Sequence, residues 1–132
     1  MELVRNGRET WTGDDWGQGP LTKIQAIIRE QQLDAVVERL VAIGVRGLTL
    51  LQVKGSGRSG GRREVYRGSA YQAAFVPKIL IEWYGREEHA DAIVRAIAQR
   101  ANTGKIGDGK IFVQRVEEAI RIRTGERGVE AM

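Results

Sequence analysis

A chain of 132 residues with 42% hydrophobic residues and no cysteine has the size of one domain, which excludes disulfide and thiolate chemistry. Its apolar runs fall far short of the ~18 residues that span a bilayer, and its first residues lack the order of a signal peptide, so a cytoplasmic protein is expected. A formal net charge of +4 and a pI near 9.8 favour acidic partners, but phosphates of a nucleotide and of a nucleic acid recruit the same basic residues.

Residues 1–21 show neither helical nor strand periodicity, and they carry Trp11, Trp16, Asp14, Asp15 and several glycines. Composition reads this stretch as a disordered or loosely docked extension. The alternative is a tail whose tryptophans dock on a partner or a neighbouring subunit, and both readings stand. The remainder, 22–132, reads as the folded domain. Ile24, Ala26 and Ile28 alternate through 22–29 as a strand with one apolar face. Leu33, Val36, Val37, Leu40 and Val41 then follow helical spacing, and Gly44 sits where a left-handed stop belongs. Residues 47–53 read as a second strand.

The connection 54–76 is long for so small a domain, and such loops are functional or disordered. It sets Lys54, Arg58, Arg62, Arg63 and Arg67 against Glu64 and includes five glycines, so self-repulsion and glycine freedom predict a mobile loop. Residues 78–84 read as a strand, and Ala90, Ile93, Val94, Ile97 and Ala98 as an amphipathic helix. A fourth strand follows over 110–116, with a short fifth over 119–123. Two strand–helix–strand halves make an α+β, ferredoxin-like βαββαβ sandwich with both helices on one face of an antiparallel sheet.

Between the second helix and the last long strand, Gly104 to Lys110 matches the start of a P-loop. The next residue is Ile111, not the Ser or Thr that would hold magnesium, and the loop enters a strand where a P-loop enters a helix, so a P-loop NTPase is rejected. The chemistry survives: glycines let backbone N–H groups approach an anion, and Lys110 adds charge. Arg121 and Arg123, two apart on an extended segment, would leave one face together and suit polyphosphate oxygens. His89, near a helix start in a charged stretch, reads as a solvated side chain. No Cys/His cluster, Ser/His/Asp set or paired carboxylates appear, so a non-enzymatic protein with no side-chain metal site is expected.

With these residues assembled, the chain resembles the PII signal-transduction protein family. Tyr66-Arg67-Gly68-Ser69-Ala70-Tyr71 fits that family's loop signature, Thr103 to Val113 fits its second signature, and Arg121 to Glu126 resembles its usual ending. The similarity runs from about Lys23 to Glu126. The resemblance implies a homotrimer in which ATP and ADP compete for clefts between subunits, with magnesium accompanying ATP. By position it implies contacts from Gly57 and Arg58 at the base of the long loop, and from Gly107, Asp108, Gly109 and Lys110. Thr49, Glu82 and the backbone at Tyr84 would lie around the adenine, and Arg121 and Arg123 would reach the phosphates from the neighbouring subunit.

The resemblance also implies a 2-oxoglutarate site, with magnesium and a loop glutamine on the acid and Lys78 at its far carboxylate. Here Ser59 stands at the glutamine position, and Ser56 replaces the usual phenylalanine. A serine hydroxyl is shorter and a poorer magnesium ligand than an amide oxygen, so 2-oxoglutarate sensing is expected to be weakened or absent. Tyr71 matches the family's uridylylation site, and Ser69 a position that some relatives phosphorylate; either change adds charge to an arginine-rich loop. The implied function is regulation of a target transporter or metabolic enzyme through 54–76, in nitrogen and carbon metabolism. Two other classes are weighed against it. A nucleic-acid module would need stacking aromatics on the sheet, where strands 22–29 and 110–116 offer only Phe112, so no nucleic-acid partner is expected. A slow ATPase timer would need a water-positioning carboxylate, for which Asp108 is the nearest candidate.

Overall fold

The computed structural model describes residues 20–56, 64–66, 69–71 and 75–132, with backbone alone for 64–66 and 69–71. Strand β1 (Leu21–Arg29) leads through a single 3-10 turn to helix α1 (Leu33–Ala42), then to β2 (Thr49–Gly55). A small antiparallel pair, β3 (Glu64–Tyr66) and β4 (Ser69–Tyr71), interrupts the long connection. The second half runs β5 (Val76–Arg86), α2 (Glu87–Ala101) and β6 (Lys110–Val116). Four strands form one antiparallel sheet in the order β2-β5-β1-β6. That order and the two helices make the α+β sandwich that the hydrophobic spacing predicts.

The period-two alternation of β1 decides which face meets the helices. Ile24, Ala26 and Ile28 are buried, as are Ile79, Ile81 and Trp83 on β5. They pack against Val36 and Leu40 of α1 and Ala90, Ile93, Ala96, Ile97 and Ala101 of α2. The alanines leave α2 thin on its inner face, so it settles close to the sheet while Ile93 and Ile97 fill the space between. Each fully buried Ile or Leu contributes roughly 1.5–3 kcal/mol. Helix α1 ends where Gly44 adopts φ +99° and the Val45 N–H closes on the Leu40 carbonyl at 2.9 Å, a left-handed stop.

The other sheet face is open. Register places Thr49, Glu82, Gln25 and Phe112 in one row across all four strands, and Leu51, Leu80, Ile27 and Lys110 in the next. Leu51 and Phe112 are 49% and 46% exposed there.

The expectation of a fifth strand over 119–123 is corrected. Residues 122–124 are a turn, and pairing is confined to one bridge between Ile120 and Arg127. Gly125 at φ +72° reverses the chain, its N–H closing on the Arg121 carbonyl at 2.8 Å. Arg121 and Arg123 therefore do not share the face of a strand. Ile122 between them is 99% exposed, so no buried face holds the segment extended.

Candidate functional site

The predicted binding residues fall into two groups on opposite edges of the sheet. Edge strands β6 and β2 are separated by β1 and β5, three inter-strand steps of ~4.8 Å, or about 14 Å. Gly107, Asp108, Gly109 and Lys110 belong to the β6 edge, and Thr49 to the β2 edge beside Glu82 and Tyr84.

At the β6 edge, α2 hands over to the glycine loop at Asn102, and the loop is organised by Asp108. Its Oδ2 accepts the N–H groups of Thr103 (2.7 Å) and Gly104 (3.0 Å). Its Oδ1 accepts the Thr103 hydroxyl (2.5 Å) and Arg29 Nε (3.0 Å). The Thr103 hydroxyl, followed by burial-opposed help from Arg29 and the two N–H groups, holds this carboxyl well below the usual carboxylate range. Two backbone donors that an anion could have used are thus taken by the loop's own carboxylate. Asp108 is a positioning residue here, with both oxygens occupied by donors from the loop and from Arg29.

Two cations clamp the same loop from the sheet. Arg29, at the end of β1, gives Nη2 to the Ile106 carbonyl at 2.7 Å. Lys78, opposite Arg29 in register, gives Nζ to the Gly107 carbonyl at 2.5 Å. Lys78 is 6% exposed, and burial, then the Arg29 charge, lowers its pKa against the opposing pull of Asp108. Gly107 and Gly109 have φ of +107° and +101°. A Cβ on Gly109 would lie 1.7 Å from the Ile27 carbonyl oxygen, so only glycine lets β6 approach β1 here. Lys110 follows at once, exposed on the open face.

At the β2 edge, Thr49 faces Glu82 in register. Glu82 accepts the Tyr84 hydroxyl at 3.0 Å and Gln25 Nε2 at 3.2 Å, with Lys23 Nζ at 3.6 Å. The Tyr84 hydroxyl first, then Lys23 and Gln25, lower its pKa despite desolvation. Lys23 also lies 5.8 Å over the Tyr84 ring. Thr49, Glu82 and Tyr84 border a cleft of about 950 Å³ between α2 and the 43–48 turn, floored by Trp83. The cleft joins an apolar floor at Trp83 to a polar strand edge at Thr49, while the Glu82 carboxylate stands on the adjoining open sheet face; an apolar floor with a polar edge suits a flat heterocycle.

Lys78 and Glu82 lie four residues apart on β5, about 13 Å, so within one chain the two groups stand apart along the strand. Arg121 is committed to Glu126 (2.8 Å) and to the C-terminal Met132 carbonyl (3.1 Å), and Arg123 sits in the adjoining turn. Glu126 has its pKa lowered by the Thr124 hydroxyl and by Arg121. Gly57, Arg58 and Ser59 lie outside the described residues, as do the side chains of Ser69 and Tyr71, whose backbones sit on β4 opposite Tyr66 and Glu64. Among the described residues no group of three His, Cys, Asp or Glu could hold a metal. A magnesium ion at the glycine loop would draw its oxygen ligands from phosphate and water. Arg29 and Thr103 are not among the predicted site residues. The signals were a cation ending an apolar strand, and a threonine five residues before an aspartate in a glycine loop.

Comparison with known proteins adds to this geometry. The family model "Nitrogen regulatory protein P-II" matches residues 21–126. Nitrogen regulatory protein P-II of Rhizobium meliloti is 49% identical over 112 residues, covering 85% of this chain and all of the relative. Those of Cereibacter sphaeroides and Rhodospirillum rubrum are 51% and 50% identical over the same coverage. A solved structure, Arabidopsis thaliana PII bound to citrate, superposes with a TM-score of 0.71 at 34% identity, covering 91% of this chain and all of the other.

Proposed function

The chain belongs to the nitrogen regulatory protein P-II family, and on that premise we propose that it is a signalling regulator that binds ATP or ADP in clefts between subunits of a homotrimer. The observation that carries the reading is the separation of the two half-sites. A preorganised glycine loop with Lys110 stands at one sheet edge, and a heterocycle-sized cleft with Thr49, Glu82 and Tyr84 at the other. Neither half is complete, and a neighbouring copy supplies the missing half to each. The open sheet face, with Leu51, Leu80, Ile27 and Phe112 between polar residues, is the surface that assembly would bury. Arg121 and Arg123 would approach the phosphates from the neighbour, Arg121 after exchanging Glu126 for phosphate.

The nucleotide would act on targets through 54–76, with Gly57 and Arg58 linking that segment to the phosphates, and Tyr71 and Ser69 as its modification sites. ATP and ADP can signal only if each stabilises a different state of the segment, since equal affinity shifts nothing. The target is a transporter or metabolic enzyme of nitrogen or carbon metabolism. The 2-oxoglutarate response is weakened because Ser59 offers magnesium a poorer ligand than an amide oxygen, and because Lys78 is already held by Gly107.

Calorimetric titration tests this reading. Mg-ATP and ADP are expected to bind competitively, with 2-oxoglutarate leaving ATP affinity within about twofold. Heat from neither nucleotide would sink the proposal. A tenfold or greater tightening of ATP by 2-oxoglutarate would overturn the part that concerns Ser59.

A further inference from the structure

The cleft at the β2 edge carries more positive charge than its own anions use. Arg39 of α1, Arg46 of the following turn and Arg95 of α2 all border it and are exposed. Among the described residues none of the three forms an ion pair. Glu82, the acidic residue that borders the cleft, is engaged by Lys23 and Tyr84, and beside it Glu88 is engaged by Arg86 and His89 and the C-terminal residue by Arg121. Between the arginines the lining is apolar, with Ile43, Val45 and Trp83.

The chain itself contains a segment of matching chemistry. Residues 9–16, Glu-Thr-Trp-Thr-Gly-Asp-Asp-Trp, hold Glu9, Asp14 and Asp15 with no cation, and two tryptophans. They precede the span matched by the family model. The chain enters the fold beside the cleft: the Pro20 carbonyl accepts the N–H of Glu87, the first residue of α2, at 3.1 Å. Five residues back to Asp15 can extend about 17 Å. Eight residues along α2 from Glu87 to Arg95 rise about 12 Å. The acidic stretch is therefore long enough to reach Arg95 without disturbing β1.

We propose that residues 9–16 dock in this cleft of their own chain, their three carboxylates meeting Arg39, Arg46 and Arg95 and their tryptophans covering the apolar floor. Carboxylate–guanidinium pairs are charge-assisted and directional, and tryptophan adds cation–π contact with arginine. Docking does not rest on the nucleotide reading. Its consequence does: the extension competes with the base of a nucleotide beside Thr49 and Glu82, so it lowers apparent nucleotide affinity.

The absence of native cysteine makes a disulfide test clean. In the full chain, T12C is paired with Q99C on the cleft or with E117C. Glu117 follows Val116, which faces Leu21 from the other side of β1, so it lies close to the extension's root but away from the cleft. Docking is expected to oxidise T12C/Q99C within one chain roughly tenfold faster than T12C/E117C, since binding raises local concentration. The advantage should fall in 1 M salt, which screens exposed charge, and when Asp14→Asn and Asp15→Asn are added. Equal rates for the two pairs, or a disulfide joining two chains, would overturn the proposal. ATP should slow the T12C/Q99C disulfide. A fast T12C/Q99C disulfide indifferent to ATP supports docking and removes the nucleotide from this cleft.

Discussion

The two edges of the sheet are built in opposite ways. The glycine loop at the β6 edge is saturated with its own bonds: Asp108 takes four donors, while Arg29 and Lys78 hold two of the loop carbonyls. The cleft at the β2 edge keeps three exposed arginines without ion pairs among the described residues and an apolar floor. A loop that must present phosphate donors in one geometry gains from rigidity, because ordering is then complete before the ligand arrives. A cleft that exchanges occupants gains from charge left uncommitted. Under the proposed function, the difference gives position to one edge and selection to the other.

The sharpest way to break the rigid edge is Gly109→Ala. The new Cβ would meet the Ile27 carbonyl at 1.7 Å with φ at +101°, so β6 must lift from β1. Destabilisation of about 3 kcal/mol or more follows, and thermal denaturation should show Tm lower by roughly 10 °C. An unchanged Tm would mean that the close strand approach is not what holds this edge.

Asp108→Asn replaces one accepting oxygen by an NH2 that cannot accept, so two of the four bonds to this side chain are lost together with its charge, weakening Mg-ATP on the order of tenfold by calorimetry. Its pH signature separates positioning from simple contact. Because the folded pKa is depressed, the Asp108 contribution to stability is fully present above the unfolded value of ~3.9. It is lost as pH falls below that value toward the folded pKa. Acid unfolding of D108N should therefore show a shallower fall below about pH 4 than wild type; superimposable acid limbs would contradict the positioning role.

These two residues also show what was legible in the sequence. The alternation of Ile24, Ala26 and Ile28 and the helical spacing of Leu33 to Val41 carry the layered fold, since burial is a property of periodicity. Strand β5 extends beyond its expected 78–84 to Val76–Arg86, and α2 begins at Glu87, because its charged first turn hides the start of the apolar stripe. The glycine loop is recognisable by its glycines, but its lock is not: Arg29 and Asp108 are far apart in sequence and meet only after β1, β5 and α2 pack. Arg121 and Arg123 mislead for the opposite reason, alternation without a buried face to enforce it.

At the selective edge, Glu82→Gln retains the shape and removes the charged acceptor. ATP affinity should fall by roughly 1.5 kcal/mol, about tenfold, with Tm nearly unchanged; ATP affinity equal to wild type would place the base elsewhere. The smallest effect on ATP itself belongs to Ser59→Gln, expected to leave ATP affinity within about twofold yet to confer ATP-dependent 2-oxoglutarate binding. Silence toward 2-oxoglutarate in that variant would show that Ser59 is not what weakens the response.

The central claim is that the two edges meet only across copies. Lys110→Gln disables one edge, and Thr49→Val with Glu82→Gln disables the other, so each variant alone should bind Mg-ATP poorly. Co-expression and calorimetry of the mixed oligomers measure the claim directly. Sites of near wild-type affinity should reappear in the mixture, where an intact edge of one copy faces an intact edge of another. Mixed oligomers that bind no better than either variant alone would contradict the shared site.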